Sequence, residues 1–181
     1  MYIVAGNLKS RKIQTLKSAR AVEARIRKVL YNVFREHIQG GSVLDLFAGS
    51  GALGIEALSW GAEEAVFVDI KRSCVNIVRK NLSSLGLLGF SKIYLKDSLF
   101  ACQIFHQKQK KFDLIFLDPP YHKGLLTKSL KTIGAYDIVE PSGFIVILGF
   151  RKESVEDGGF FCHFERFYGD RSVRLYTPLR K

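Results

Sequence analysis

The sequence predicts an α/β fold, a single doubly wound domain (1–181) around a mostly parallel, seven-stranded sheet. Three observations support this prediction. Short apolar segments alternate with segments of helical periodicity along most of the chain, as in successive β-α-β units. A glycine-rich loop joins the first predicted strand of the core to a helix. Two β-rich runs follow the last α/β unit, which predicts an antiparallel hairpin at the C-terminus.

The first part of the chain is strongly basic. Residues 1–18 alternate apolar and polar side chains around the turn dipeptide Gly6-Asn7, which predicts a small basic β-hairpin extension ahead of the 19–181 core. Apolar residues then recur at helical spacing over about 19–37. The first 40 residues hold nine Lys or Arg and two Glu, a net of +7 within a total of +11. A polyanionic partner explains this skew, and a merely solvated basic surface is the alternative.

The elements of the core follow in regular order. Because strands and helices alternate, the strands are expected to be parallel and the crossovers right-handed. Predicted strands occupy 42–47, 65–69, 92–95, 112–117 and 144–148. A predicted helix follows the glycine loop 48–54 and ends at about 59, further predicted helices occupy about 72–85 and 124–133, and a short helical segment follows 98. The closing hairpin consists of 160–167 and 172–176.

Composition excludes several classes of protein. The hydrophobic share of 47% and charged share of 25% are typical of a globular domain. Cys74, Cys102 and Cys162 are odd in number and far apart, which predicts reduced thiols and no metal site. The N-terminus lacks the apolar core of a signal peptide, and the apolar runs are shorter than a membrane span. We therefore expect a cytoplasmic monomer with no membrane partner.

The glycine loop predicts a nucleoside cofactor. Residues 49–54 read Gly-Ser-Gly-Ala-Leu-Gly, and Asp69 lies about 20 residues on, at the end of the next strand. Backbone N–H groups at a helix start and a carboxylate for ribose hydroxyls suit any adenosine cofactor, including NAD. The alternative is structural, with glycines at a tight turn and Asp69 as a helix cap.

Asp45 favours S-adenosylmethionine over NAD. It lies inside the strand just ahead of the glycine loop, where dinucleotide folds usually have an apolar residue. A carboxylate there would repel a pyrophosphate, but it could hold the ammonium of a methionine moiety directly or through water.

Asp118-Pro119-Pro120-Tyr121 follows the apolar strand 112–117 and is the predicted catalytic loop. An exocyclic amine of a base is a weak nucleophile because its lone pair is delocalised into the ring. The Asp118 carboxylate and the Pro119 carbonyl could accept its two hydrogens and turn the lone pair toward a methyl donor. Tyr121 would stack on the base. The alternative is a simple turn with Tyr121 in the core.

Two of these segments resemble known methyltransferase motifs. The run 43–51 resembles the first motif of class I methyltransferases, and 118–121 resembles their [Asp/Asn]-Pro-Pro-aromatic motif for nitrogen acceptors. The resemblance implies a Rossmann-like fold, S-adenosyl-L-methionine as cofactor and S-adenosyl-L-homocysteine as product. It also implies that Asp69 binds the ribose and that Asp97 lies by the adenine amine. The implied cofactor residues are Asp45, Phe47, Gly49, Ser50, Gly51, Asp69, Ile70, Asp97 and Ser98.

Nearly the whole chain resembles the bacterial family that methylates a guanine N2 amine of 16S ribosomal RNA. The basic extension, the segment 25–32, both motifs and the segment 166–170 carry this resemblance. Two positions depart from the family pattern, since Arg20-Ala21-Val22 replaces Arg-Pro-Thr and Lys28 replaces Glu. The resemblance implies that the partner is 16S rRNA, in a small ribosomal subunit or an assembly intermediate. The predicted RNA-binding residues are Lys9, Arg11, Lys12, Arg20, Arg25 and Arg27, extended by Lys123, Lys128, Lys131, Arg171 and Arg174.

Three other functions remain open from the sequence. An N6-adenine methyltransferase would use the same catalytic loop, although DNA enzymes of that type normally have a separate target-recognition domain. A nicotinamide-dependent oxidoreductase would use the glycine loop and leave 118–121 without a purpose. A non-catalytic RNA-binding or ribosome-assembly protein would bind RNA without turnover.

Overall fold

The computed structural model describes residues 1–15, 22–120 and 124–179. Within them, seven strands form one sheet that is flanked by five α-helices. The strands are β1 (Ser42–Asp45), β2 (Glu64–Asp69), β3 (Ser91–Leu95), β4 (Phe112–Leu117), β5 (Val139–Phe150), β6 (Phe160–Tyr168) and β7 (Arg171–Pro178). The helices are α1 (Ala24–Phe34), α2 (Ala52–Trp60), α3 (Arg72–Leu85), α4 (Ser98–Gln107) and α5 (Leu125–Tyr136), with one 3-10 turn at Leu88–Phe90.

The strand order is β3-β2-β1-β4-β5-β7-β6. Strands β1 to β5 are parallel to one another, whereas β7 is antiparallel to β5 and β6 is antiparallel to β7. The predicted α/β fold with a mostly parallel sheet and a C-terminal antiparallel hairpin is therefore confirmed. The order reverses between β1 and β4, and in such sheets ligands bind at the reversal, outside the carboxyl ends of the strands.

Both faces of the sheet are covered. Along β4, Leu114 and Phe116 pack into the cluster shared with α1, α2 and α3, whereas Ile115 and Leu117 pack into the cluster shared with α4 and α5. All four side chains are fully buried. Burial on both faces explains why the strand reads as a continuous apolar run rather than an alternating one. Each such side chain contributes about 1.5–3 kcal/mol relative to exposure.

The N-terminal extension reverses direction but forms less β structure than predicted. Tyr2 and Lys12 make one antiparallel bridge, and the Ile3 amide donates to the Arg11 carbonyl at 3.0 Å. The extension also packs on α2, where the Asn7 amide donates to the Ser59 carbonyl at 2.8 Å. Backbone groups that a longer hairpin would pair are thus bonded to α2 instead.

Two predicted boundaries are corrected. Helix α1 begins at Ala24 and ends at Phe34, so the expected span of 19–37 was too long; Glu23 is extended, with ψ at 144°. Strand β5 begins at Val139, well before the predicted 144, because its pairing with β4 continues across an irregularity in register. Hydrophobic periodicity cannot locate either end, since both depend on partners distant in sequence. No helix in the described ranges combines the length and apolar character needed to cross a membrane.

Candidate active site

Four neighbouring parallel strands each deliver a carboxylate to the same edge of the sheet. Asp97 follows β3, Asp69 ends β2, Asp45 ends β1 and Asp118 follows β4. The predicted cofactor residues and the predicted catalytic carboxylate are therefore brought together around the reversal in strand order. Among the described residues, no group of three or more His, Cys, Asp or Glu is placed to hold a metal ion.

The glycine loop is held in place by side chains from other elements. Gly51 has φ at 79° as it begins α2, a conformation that a residue with a β carbon rarely adopts. The Gly49 amide donates to Asp69 Oδ2 at 2.9 Å. Asn81 of α3 donates from Nδ2 to the Ser50 carbonyl at 2.9 Å, and its Oδ1 accepts from the Gln14 amide at 2.7 Å. Asn81 thus joins the N-terminal extension to the loop, a role that the sequence did not predict.

Asp45 lies beneath the loop and is only 1% exposed. Its Oδ2 accepts a hydrogen bond from the Gly54 amide of α2 at 3.1 Å. Burial raises the pKa of Asp45 to about 7; the Gly54 hydrogen bond lowers it, while the negative charges of Asp118 and Asp69 raise it further. A cation in this site would relieve that repulsion, whereas a pyrophosphate would increase it. The arrangement fits a cofactor with a sulfonium and an ammonium group better than NAD.

Asp69 and Asp97 are both oriented by backbone amides. Asp69 Oδ1 accepts from the Lys71 amide at 2.8 Å. Asp97 caps the start of α4, since its Oδ1 accepts from Leu99 and Phe100 at 2.9 and 3.1 Å. A carboxylate accepts up to about four hydrogen bonds, so these capping bonds leave capacity for ribose hydroxyls and an adenine amine.

Ile70 supplies an apolar surface beside these carboxylates. It follows Asp69 directly and is 66% exposed. Since Asp69 lies opposite Leu95 in the pairing of β2 with β3, Ile70 is close to the segment that leads to Asp97. A planar adenine can cover this side chain. Ser98, at the start of α4, is buried, and Phe47 is half-buried at the start of the glycine loop.

Asp118 is paired with an arginine from the C-terminal hairpin. Arg171 Nη1 lies 3.5 Å from Asp118 Oδ1, and the two side chains are 6% and 18% exposed. Burial raises the pKa of Asp118 to about 6, and the positive charge and hydrogen bond of Arg171 oppose that rise. Pro119 is buried and Pro120 is exposed. Tyr121 lies outside the described residues.

Three predicted RNA contacts are wrong because the arginines are buried. Arg27 is 2% exposed, and its Nη1 lies 2.5 Å from Glu56 Oε1 of α2. Arg171 and Arg174 are 5% and 7% exposed. Arg174 Nε donates to Glu165 Oε1 at 2.5 Å. The sequence did not reveal these partners, which lie on other elements, and buried arginines normally require such a partner.

Other predicted basic residues do lie on the surface. Lys9, Arg11, Lys12 and Arg25 are exposed. Lys9 and Arg25 line a cleft of about 660 Å³ between the N-terminal extension and α1, together with Tyr2 and Lys28. Arg20 and Lys123 lie outside the described residues. The exposed cations remain predictions as RNA contacts.

Comparison with known proteins identifies the family. The chain matches the family described as "Conserved hypothetical protein 95" over residues 1–177. It belongs to this family. The Bacillus subtilis (strain 168) protein named "Putative rRNA methyltransferase YlbH" is 33% identical over 180 residues, which cover 97% of this chain and 98% of that protein. The "Ribosomal RNA small subunit methyltransferase D" of Escherichia coli (strain K12) is 30% identical over 184 residues, which cover 96% of this chain and 88% of that protein.

A solved structure shares the fold of the whole chain. The structure titled "Putative methyltransferase yhhF" from Escherichia coli superposes with a TM-score of 0.87 at 27% identity and covers 100% of this chain and 99% of its own. The resemblance stated from the sequence is therefore confirmed. The chain belongs to the same family as these relatives, which are named as rRNA methyltransferases. The negative charge, the glycine loop and the exposed Ile70 at the sheet edge fit S-adenosylmethionine as a cofactor.

Proposed function

We propose that this methyltransferase acts on the exocyclic N2 amine of a guanine in 16S ribosomal RNA. The observation that carries the proposal is the position of Asp118, at the reversal in strand order and next to the carboxylates that suit a sulfonium cofactor. The names of the relatives support an RNA of the small subunit as substrate. The net charge of +11 is consistent with a polyanionic partner.

Asp118 and Pro119 would orient the amine. When bound, S-adenosylmethionine supplies an electrophilic methyl group on sulfur. Ionised Asp118 accepts one N–H of the amine and the Pro119 carbonyl accepts the other, so the lone pair of nitrogen points toward the methyl carbon. Attack of this nitrogen on the methyl group would displace S-adenosylhomocysteine, and the Asp118 carboxylate or water would accept the proton that the nitrogen releases. Asp118 is ionised above about pH 6 and can fill this acceptor role at neutral pH.

We also propose how the target reaches the site. The base must leave its stack before its amine reaches Asp118, and Tyr121 would stack on it once it is extruded. The substrate would be 16S rRNA within a small subunit or an assembly intermediate. The protein would act as a monomer in the cytoplasm, with Lys9, Arg11, Lys12, Arg20 and Arg25 toward the RNA.

Methyl transfer to defined substrates tests the proposal. Labelled S-adenosylmethionine is incubated with naked 16S RNA, small ribosomal subunits or DNA, and the products are digested to nucleosides. We expect N2-methylguanosine from one of the two RNA substrates. N6-methyladenosine would replace the proposed acceptor, and RNA binding without turnover would indicate a non-catalytic protein.

Substitution of Asp118 tests the mechanism. We expect Asp118→Ala to lower kcat by at least about 100-fold, because the amine loses its main acceptor. Binding of S-adenosylhomocysteine, measured by calorimetry, should change little. Glu63→Ala is the matched control, since Glu63 is an exposed carboxylate ahead of β2, at the opposite edge of the sheet. Near-normal turnover by Asp118→Ala would contradict the mechanism.

A further inference from the structure

Asn81 of α3 bonds two segments that are distant from each other in sequence. Its side chain is 1% exposed. Nδ2 donates to the Ser50 carbonyl of the glycine loop and to the Gln14 carbonyl of the N-terminal extension, both at 2.9 Å. Oδ1 accepts from the Gln14 amide at 2.7 Å. Both amide hydrogens of Asn81 are therefore used, one in the loop and one in the extension.

Asn81 takes the place of a neighbouring strand for the extension. In an antiparallel ladder, a partner residue would bond both the N–H and the C=O of Gln14. The Asn81 amide bonds the same two groups from a helix. The extension pairs with itself up to the preceding residue, since the Ile13 amide donates to the Met1 carbonyl at 2.9 Å. Asn81 therefore holds the backbone of the exposed Gln14 against α3.

In the glycine loop, Asn81 fixes the peptide group that joins Ser50 to Gly51. The N–H of this peptide donates to the Ala48 carbonyl at 2.6 Å, and its C=O accepts from Asn81. Ser50 is buried, so without Asn81 its carbonyl would lose its bond in a place that water does not readily reach. The peptide would then turn toward another donor and change the surface that the loop presents to the cofactor.

The arm of the extension that Asn81 holds carries two of the exposed cations. Arg11 and Lys12 come shortly before Gln14 in the chain. Arg11 Nη2 also donates to the carbonyl of Ser84, at the end of α3, at 3.5 Å. Since consecutive residues of an extended chain advance by about 3.5 Å, the backbone of Lys12 lies within about 7 Å of Gln14. A shift of Gln14 would thus move the cations that face the RNA.

We propose that Asn81 is a positioning residue that couples cofactor binding to RNA binding. The cofactor orders the loop at Ser50, and RNA orders the arm that ends at Gln14. Because both segments bond the same side chain, the ligand that binds first reduces the ordering cost for the other. Each ligand then raises the affinity for the other by the same factor, about fivefold or more. This inference rests on the proposed RNA methyltransferase function and deepens it by assigning how its two binding sites communicate.

Hydrogen exchange in the unaltered protein, followed by NMR, tests the link without a substitution. We expect saturating S-adenosylhomocysteine to slow exchange of the Gln14 amide about fivefold, because its acceptor on Asn81 becomes more firmly placed. The Leu8 amide is the control. It lies in the same extension but donates to Ser59 Oγ at 2.9 Å, about two turns along α2 from the glycine loop. Its exchange should not change, and equal effects on the two amides would overturn the proposal.

A matched pair of substitutions separates coupling from support of the extension. Asn81 and Ser59 are both 1% exposed and both bond the extension, Ser59 by donating to the Ala5 carbonyl at 2.6 Å. We expect Asn81→Ala to raise KM for S-adenosylmethionine about tenfold with little change in kcat, because the Ser50 carbonyl loses its donor. Ser59→Ala should weaken RNA binding and leave this KM unchanged. Equal KM values for S-adenosylmethionine in the two variants would overturn the proposal.

The coupling factor itself is the decisive measurement. It is the ratio of affinities for a labelled RNA oligonucleotide with and without S-adenosylhomocysteine, measured by fluorescence anisotropy. We expect about fivefold or more for the unaltered protein and for Ser59→Ala, but no difference for Asn81→Ala. A merely structural role would lower both affinities of Asn81→Ala and leave their ratio as in the unaltered protein, which would overturn the proposal.

The two proposals fail in different ways. If the unaltered protein does not methylate RNA although S-adenosylhomocysteine slows exchange at Gln14, the proposed function is rejected and the link through Asn81 stands. If it methylates RNA but shows no coupling and no change in exchange at Gln14, the role of Asn81 is rejected and the proposed function stands.

Discussion

Asp45 combines a structural and an electrostatic role in one side chain. Its hydrogen bond to Gly54 fastens the start of α2, and its burial beside Asp69 and Asp118 makes its negative charge unfavourable without a cation. In the unfolded chain the carboxyl ionises near pH 3.8, whereas in the folded protein its pKa is about 7. The unfolded state therefore binds fewer protons between these values, and Asp45 makes stability fall as pH rises through this range.

Asp45→Asn should remove that pH dependence. The amide oxygen can still accept from Gly54, but no charge develops, so the variant should be more stable than the unaltered protein above pH 7. We expect the difference to grow from pH 4 to pH 7, to about 2–4 kcal/mol, and then to remain constant. Urea denaturation at several pH values measures it. Affinity for S-adenosylhomocysteine should fall in the same variant, and a variant less stable at pH 8 would contradict the account.

The ionisation of Asp118 should determine the acid limb of the pH–activity profile, where activity falls as pH is lowered. Because its pKa is about 6 and the proposed reaction needs the carboxylate, kcat/KM for RNA at saturating cofactor should fall as pH drops through 6. Arg171→Met removes the positive charge that lowers this pKa, so the limb should move to higher pH by about one unit or more. Asp45 also faces Asp118, and a cationic cofactor at saturation should lower the pKa of Asp45 and keep it ionised across this range.

A buried arginine on the same strand provides the control for this shift. Arg174 pairs with Glu165 and not with Asp118, so Arg174→Met should leave the acid limb in place. Arg171→Lys keeps the charge and should shift the limb less than Arg171→Met does. An unchanged limb in Arg171→Met would show that Arg171 does not control the ionisation of Asp118.

At the residue scale, the sequence predicted which carboxylates gather at the sheet edge, but not how they are paired. Asp45, Asp69, Asp97 and Asp118 each follow a strand, and parallel strands place such residues together regardless of side-chain detail. The contact between Arg171 and Asp118 depends on how the C-terminal hairpin joins β5. A pattern of apolar residues does not contain that information.

The Arg27–Glu56 pair joins two helices and the N-terminal extension. Arg27 of α1 donates to the Tyr2 and Val22 carbonyls at 2.8 and 3.1 Å. Glu56 of α2 is fully buried and also accepts from the Val4 amide at 2.9 Å. One ion pair therefore fixes the extension against the layer of helices that covers the sheet.

Removing one partner should cost more than removing both. Arg27→Met leaves the Glu56 carboxylate buried without its cation, which should destabilise the protein by about 3–5 kcal/mol. Arg27→Met combined with Glu56→Gln should recover at least half of that loss, because the amide oxygen still accepts from Val4. Urea denaturation of the single and double variants measures this coupling. If the double variant is no more stable than Arg27→Met, the charge of Glu56 is not the cause.

At the element scale, the sequence predicted element types better than element ends. Strand β4 and helix α3 match their predicted spans, because each is bounded by strong local signals such as Gly86 after α3. The extension departs from its prediction because α2 supplies hydrogen-bond partners that compete with a hairpin, and α1 is shorter at both ends than its apolar periodicity predicts. The local sequence pattern is therefore sufficient to locate the ends of an element that packs within its own β-α-β unit.

At the scale of the whole molecule, negative and positive side chains are concentrated in different regions. The carboxyl edge of the sheet carries four carboxylates, whereas the N-terminal extension carries exposed cations. A cationic cofactor and a polyanionic substrate would thus approach different parts of the molecule. The sequence predicted the basic extension from composition, but it did not predict that Arg25 of α1 and Arg151, after β5, lie over aromatic rings of β6.

The placement of charge, rather than its total, should govern RNA affinity. Replacing Lys9, Arg11 and Lys12 by Gln should reduce the slope of log affinity against log salt by about 2, since each phosphate contact on single-stranded RNA contributes about 0.7. The control replaces Lys92, Lys110 and Lys111 by Gln, which gives the same net charge. These three cations lie early in β3 and ahead of β4, at the edge of the sheet opposite the four carboxylates. Fluorescence anisotropy over a range of salt concentrations measures both slopes. If the two triple variants lose the same slope, net charge alone drives binding; if only the first loses it, the N-terminal extension contacts the phosphates.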